Sequence, residues 1–528
     1  MRRLALATLA AALLAAAPAR AQHEHHAAAD TVGTVAFPTS CAPAVQPAFE
    51  RAAAMLHSFW FDAAEKAFQQ VAAADTGCAM AHWGAAMTLW GNPFVRQPIP
   101  PERQRAGLAA AERAAALVGG ASHRERMYVD GVVALWRGAA ERDHLAGLAQ
   151  HEAAMRALYE AHPDDAEAAV FYARSVIANA PPTDLEFRRQ LHAASVLEPL
   201  FARQPDHPGL AHYIIHTFDS PKLARQGLAA AKRYASIAPA APHALHMPSH
   251  IFTRLGLWEE SIDANRRSAA AEPDSNAAVH PNDYMVYAYL QQGRDADARA
   301  IVARTQEAGD RFYGAILGYN ALAMQARYAL ERSDWAAAAA IPTPVKSAPF
   351  VEAVARFARA VGAARSGRPA QARADAAALA DLRDTLKARG DTYWSTIVEA
   401  QRLAATAWMA RGEGRNAEAR RLALEGAELE ETVEKHPVTP GPLLPARELE
   451  GDLLMELGRP ADALRSYERT LEREPHRARA LFGAARAAER AGKGAVARAR
   501  YAELARLMDG ADPSRAEVRV AKAYLARR

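Results

Sequence analysis

Three residues near the C-terminus repeat as a set. Gly458, Ala463 and Tyr467 are followed 34 residues later by Gly492, Ala497 and Tyr501. A fixed period of that length is the mark of a helix-turn-helix unit stacked on copies of itself, because one hairpin cannot bury its apolar face alone. The glycines fall where the first helix turns into the second, a position that favours a residue free to take positive φ. Ala463 and Ala497 are small enough for neighbouring helices to approach, and Pro475 stops the second helix of its unit.

The same spacing can be laid over earlier segments. Phe59, Ala64 and Phe68 take the turn, small and large positions, and Trp83-Gly84-Ala85-Ala86 opens the next unit. In the middle, Gly256, Ser261, Asn265 and Pro273 take the turn, small, large and closing positions, with Pro239 closing the unit before and Gly293 and Ala298 marking the unit after. Segments around Trp335, Ser366 to Pro369 and Arg411 to Ala419 read as more degenerate units. Half of the chain is hydrophobic with alanine prominent, a bias toward good helix formers that points to an all-α protein.

These features resemble the tetratricopeptide repeat family over most of residues 45 to 510, most closely at 205 to 300 and 445 to 510. Leu56-His57-Ser58-Phe59-Trp60 and His246-Met247-Pro248-Ser249-His250 also look like segments of a group of exported bacterial repeat proteins. The resemblance implies a right-handed superhelical solenoid of helical hairpins, and it speaks to fold more than to function. The expected organisation is a signal peptide at 1–21, a flexible arm at 22–44, and repeats with a histidine-lined concave face at 45–310. Degenerate repeats follow at 311–440, then C-terminal repeats with a terminal helix at 441–528.

Histidine usage is uneven. If Pro208 and Pro242, 34 residues apart, open consecutive units, His212 and His246 are each fifth in their unit, and His216 and His250 each ninth. His243 is second in its unit, and His280 is second in the next if its turn is Gly293. Residues four apart share a helix face, so equivalent pairs on stacked helices can face one another. Pro248 is expected to kink or delay its helix. In the family, the second, fifth and ninth places of the first helix line the concave groove, so the resemblance implies that these imidazoles do so here. Asp219 and Asp283 would project nearby. Imidazole is the commonest ligand for zinc, copper and iron, and the candidate metal set is therefore His212, His216, His243, His246, His250, His280, Asp219 and Asp283, with a carboxylate as ligand or orienting group. His57 and His82, in aromatic surroundings, read as structural. His23, His25 and His26 would bind divalent ions loosely without any fold. The eight tryptophans read as packing between helices.

Met1-Arg2-Arg3, an apolar run from Leu4 to Ala17, and Ala19-Arg20-Ala21 have the layout of a secretory signal peptide cleaved after Ala21. The expected location is periplasmic or secreted, with no transmembrane segment in the mature chain. In an oxidising compartment Cys41 and Cys78 are readable as a disulfide pinning the N-terminal arm, the alternative being two buried thiols. A net charge of +4 spread over 528 residues, with no basic block, gives no footprint for nucleic acid. There is no Gly-rich phosphate loop, His-Glu-x-x-His or Gly-x-Ser-x-Gly.

Three functions fit. The first is binding of a transition metal, or a metal-assisted ligand, by the concave histidines. The second is a metal-free scaffold receiving a peptide or protein in the groove. The third is a metalloenzyme with an open coordination position and Asp219, Asp283, Tyr213 or Tyr284 as acid, base or orienting group. The ligand-facing places hold His, Asp and Tyr instead of Lys, Arg and Asn, which favours metal over acidic peptide ends.

Overall fold

The computed structural model describes residues 30–96, 98–272, 278–307 and 316–527. Among them every regular element is a helix, and most helices pack chiefly on an immediate neighbour in sequence. The chain is an all-α array of stacked helical hairpins. Residues 1–21, read above as a signal peptide, and His23, His25, His26 and Pro273 lie outside the described residues. No helix among the described residues is long and apolar enough to cross a membrane.

Hairpin geometry follows the repeat positions. Gly256, Gly293, Gly458 and Gly492 all turn with φ of 67–73°, and Phe59, at the equivalent place, adopts φ 53° despite its side chain. The helix pairs Ala446–Glu456 with Pro460–Arg473, and Ala478–Arg490 with Gly494–Leu507, reproduce the C-terminal period. Tyr467 wedges between hairpins, and a Cβ on Gly483 would come within 2.4 Å of its ring. The degenerate stretch continues the pattern as Pro349–Arg365 with Pro369–Ala388 and Thr392–Gly412 with Asn416–Glu430. The apolar core divides into stretches, one ending at Phe252, one from Trp258 to Met324, one from Tyr319 to Leu453 and one from Leu454 to Ala521.

The arm assigned to 22–44 is not free where it is described. Val32, Val35 and Phe37 are buried, with the Phe37 ring against Phe49, Trp83 and Tyr128. Thr34 donates to the Asp206 carbonyl at 3.0 Å, and Ala240 to the Thr31 carbonyl at 3.1 Å. The physical reason is an extended segment whose apolar residues fill the seam between hairpins, with backbone groups pairing across it. Cys41 and Cys78 are joined sulfur to sulfur with Cα atoms 4.8 Å apart, holding this segment beside the first hairpin.

A second irregular segment lies between the helices Asn416–Glu430 and Ala446–Glu456. It runs along the face made by the first helices of the middle units, and its backbone is gripped from that face. Asn320 donates to the Val438 carbonyl at 2.8 Å, Arg327 to the carbonyls of Gly441 (2.7 Å) and Pro442 (2.6 Å), and Arg254 to that of Pro440. The chain thus covers this part of the face with an irregular, proline-rich segment of its own.

Candidate metal centre

The first histidine-bearing helix, Pro208–Phe218, starts with proline at a position that needs no N–H, and the His207 ring caps it by accepting from the Leu210 amide at 3.2 Å. The next first helix is split at Met247 into Pro242–His246 and Pro248–Arg254, the break that Pro248 dictates. The third is Val279–Gln291, with His280 in its first turn.

These helices bring the six histidines into two groups of three. One is His212, His216 and His243, the other His246, His250 and His280, and within each group one ring nitrogen per residue lies within 4.8 Å of the others. His212 Nε2 is 3.1 Å from His216 Nε2 and 3.2 Å from His243 Nε2. His246 Nε2 is 3.0 Å from His250 Nε2. His280 packs its ring on His246 with centroids 4.5 Å apart, and its Nδ1 is buried without a hydrogen-bond partner.

The outer nitrogens determine what the inner ones can be. His212 Nδ1–H donates to the His57 carbonyl at 2.6 Å. His250 Nδ1–H donates to Asp219 Oδ2 at 2.8 Å. His246 Nδ1–H donates to Asn265 Oδ1 at 2.6 Å, and the amide orientation is set because Asn265 Nδ2 donates to the Ser261 carbonyl at 2.6 Å. Each of these rings therefore carries its proton on Nδ1 and a bare lone pair on Nε2. Burial lowers the His212 pKa to about 3 and that of His246 to about 4, and pushes His216, His243, His250 and His280 well below 6.5, so all six are neutral at pH 7. Two bare lone pairs facing each other at 3.0 Å, as on His246 and His250, repel unless a cation lies between them. Outer donation to carbonyl or carboxylate is also how metal-binding imidazoles are held.

The carboxylates are placed differently from one another. Asp219 reaches the second group from outside, accepting from His250 and, at 2.6 Å, from Lys435 Nζ. Asp283 does not join the histidines: its carboxylate pairs with Arg327 Nε at 3.0 Å and accepts from Asn320 at 3.1 Å, because a buried charge on that helix turns to the buried guanidinium. Tyr213 donates to His57 Nδ1 at 3.0 Å, away from the inner nitrogens. Tyr284 donates to the Thr439 carbonyl at 3.3 Å while its ring flanks His246, His250 and His280.

A further buried cluster is satisfied within itself. His57 Nε2 and His207 Nε2 each donate to Glu167, at 2.9 and 2.6 Å, and their Nδ1 atoms accept from Tyr213 and the Leu210 amide. Burial raises the Glu167 pKa, but His207 and His57 outweigh it and hold the carboxyl well below its usual range. No lone pair is left over, so the cluster braces the backbone that orients His212.

Sequence reasoning missed the roles of Asn265, the His57 carbonyl, Lys435 and the irregular segment that carries it. Asn265 left a signal: it stands at the position that Phe68, Tyr467 and Tyr501 fill with a ring. Phe59 stands where other units have their turn glycine; its ring stacks on His243 at 5.4 Å and meets His212 edge-on at 4.4 Å. A cavity of about 320 Å³ opens beside the first group, lined by His216, Asp219, Lys435, His436, Trp394 and Arg96 among others.

Residues 449–516 match a family model described as tetratricopeptide repeat. No curated protein matches the chain. Among solved structures, the APC/C hetero-tetramer Cut9-Hcn1 is similar at 12% identity over 91% of this chain and 89% of that one, with a TM-score of 0.33. The human IFIT1 dimer with m7Gppp-AAAA is similar at 10% identity over 82% and 90%, with a TM-score of 0.39. Stacked helical hairpins run through the described residues, and the hairpins at 449–516 are similar to tetratricopeptide repeats.

Proposed function

We propose that this is an exported helical-repeat protein that binds transition-metal ions through six histidines on its inner face. One observation carries the reading: the Nε2 lone pairs of His246 and His250 face each other at 3.0 Å while both Nδ1 protons are committed to Asn265 and Asp219. Neutral nitrogen donors without carboxylates among them suit copper, zinc or iron and not the oxygen-seeking magnesium or calcium. The segment around Val438 to Pro442 lies where a partner's extended peptide would bind the middle units, which counts against the scaffold reading there. Protein binding on other faces of the solenoid stays compatible with the metal reading. The paired cysteines and the leader at 1–21 support an exported, oxidising setting.

Elemental analysis of protein purified without chelators should find metal in the wild type and little in a His212→Ala/His250→Ala double variant. Equal, negligible metal in both would end the reading. N-terminal sequencing of protein recovered from the export fraction should begin at Gln22; an intact Met1 there would remove the export half of the proposal.

A further inference from the structure

The two histidine groups are one construction used twice. The first takes the fifth and ninth residues of the unit opened by Pro208, His212 and His216, and the second residue of the next unit, His243. The second takes the fifth and ninth residues of the unit opened by Pro242, His246 and His250, and the second residue of the following unit, His280. Each lies across one seam between stacked first helices. The pattern stops cleanly at both ends. The second place of the first unit is Gly209, where a Cβ would sit 2.6 Å from the His57 ring, and the fifth place of the third is Asp283, engaged by Arg327.

Resting on the metal reading above, we infer that the protein holds two d-block ions, one in each seam, each bound by three neutral imidazoles. Nitrogens 3.0–3.2 Å apart that both lie at bond lengths of ~2.0–2.1 Å from one ion subtend roughly 95–105° at it, close to tetrahedral. Across the groups, His216 meets His250 and His243 meets His246 with ring centroids 5.8 Å apart. The ring nitrogens gather within 4.8 Å of one another as two sets of three and not as one set of six, and a single ion with two-ångström bonds spans nitrogens at most about 4.2 Å apart, so each set is assigned its own ion. Three protein ligands leave a fourth position for water or another small oxygen ligand, and the roughly 320 Å³ cavity beside His216 supplies room for one at the first seam. The same face carries Lys435 and Arg254 around the lone carboxylate Asp219, so each added ion is charge-balanced by its own small ligand and not by the protein. Ring contacts between the groups put the two ions near enough for copper spins to sense one another.

The test is copper(II) titration of the full mature chain carrying His23→Gln, His25→Gln and His26→Gln, which removes loose binding in the arm. Bound copper is counted after desalting, and electron paramagnetic resonance is recorded on the same samples. We expect two coppers per chain and a dipole-broadened spectrum. His280→Gln and His243→Gln should each retain one copper with a sharpened spectrum, their helicity and melting temperature unchanged. One copper in the parent chain, or total loss on either single substitution, overturns the two-ion inference and leaves metal binding standing. Two coppers with a spectrum as sharp as that of the single variants overturns the side-by-side placement. No copper in the parent chain removes the metal reading itself.

Discussion

His246 shows how a side chain's chemistry is decided by the atom behind it. Its Nδ1 meets Asn265 Oδ1 at 2.6 Å, so the lone pair on Nε2 is presented inward by an amide nineteen residues away. Asn265→Ala removes that acceptor, frees the ring to carry its proton on Nε2 and leaves a buried N–H unpaired. Loss of such an outer partner weakens metal binding by about 10–100-fold. Chelator competition should therefore show one class of site weakened and a second, at His212, His216 and His243, unchanged; equal weakening of all bound metal would contradict the assignment. Asp219 plays the same part for His250, and there the carboxylate is shared with Lys435. The six histidines were legible in the sequence because their places in the repeat are set by local spacing. Lys435 was not, since it meets Asp219 across 216 residues, and nothing in the local pattern at 435 refers to that distance.

Hairpins are joined by a ring on one helix set against a bare backbone on its neighbours. Tyr467 packs against Gly451 and Gly483, and the Phe68 ring lies 2.3 Å from where a Cβ on Gly84 would be. Gly483→Ala forces the Tyr467 ring or the helix to move and should cost about 1–3 kcal/mol, despite alanine's better helix propensity. Urea unfolding would read this as a lower midpoint; an unchanged or higher midpoint would show that the seam yields freely. The small-and-large pattern was legible here because each partner lies within one period of the other. The N-terminal arm was misread for a related reason. Val32, Val35 and Phe37 are buried without belonging to any helix, and a helical period does not register an extended segment whose partners are distant hairpins.

The assembled chain buries an unusual number of neutral imidazoles. Burial brings His151 to about 4 and His436 to about 3, alongside His212 and His246. Their folded pKa values lie below the ordinary 6.5, so the unfolded chain takes up protons first as pH falls. The stability they contribute is complete above about 6.5 and is lost between there and roughly 4. For His151 alone the loss amounts to about 3 kcal/mol. Metal-free protein should show a urea midpoint that drops steadily from pH 7 to pH 5, and a flat profile over that interval would mean that these rings are hydrated in solution.

Local spacing was enough to determine the hairpins, their turns, the split at Pro248 and the face on which each histidine lies. Helix periodicity depends on covalent neighbours, and a 34-residue repeat carries the phase from one unit to the next. Only the tertiary structure decided that the histidines divide three and three, which tautomers they adopt, that Asp283 turns to Arg327, and that the irregular segment with Lys435 lies along the first helices of the middle units. Those outcomes depend on how the stacked hairpins curve and on which distant groups the curvature brings within hydrogen-bond reach, and a buried polar group takes the partner that geometry delivers.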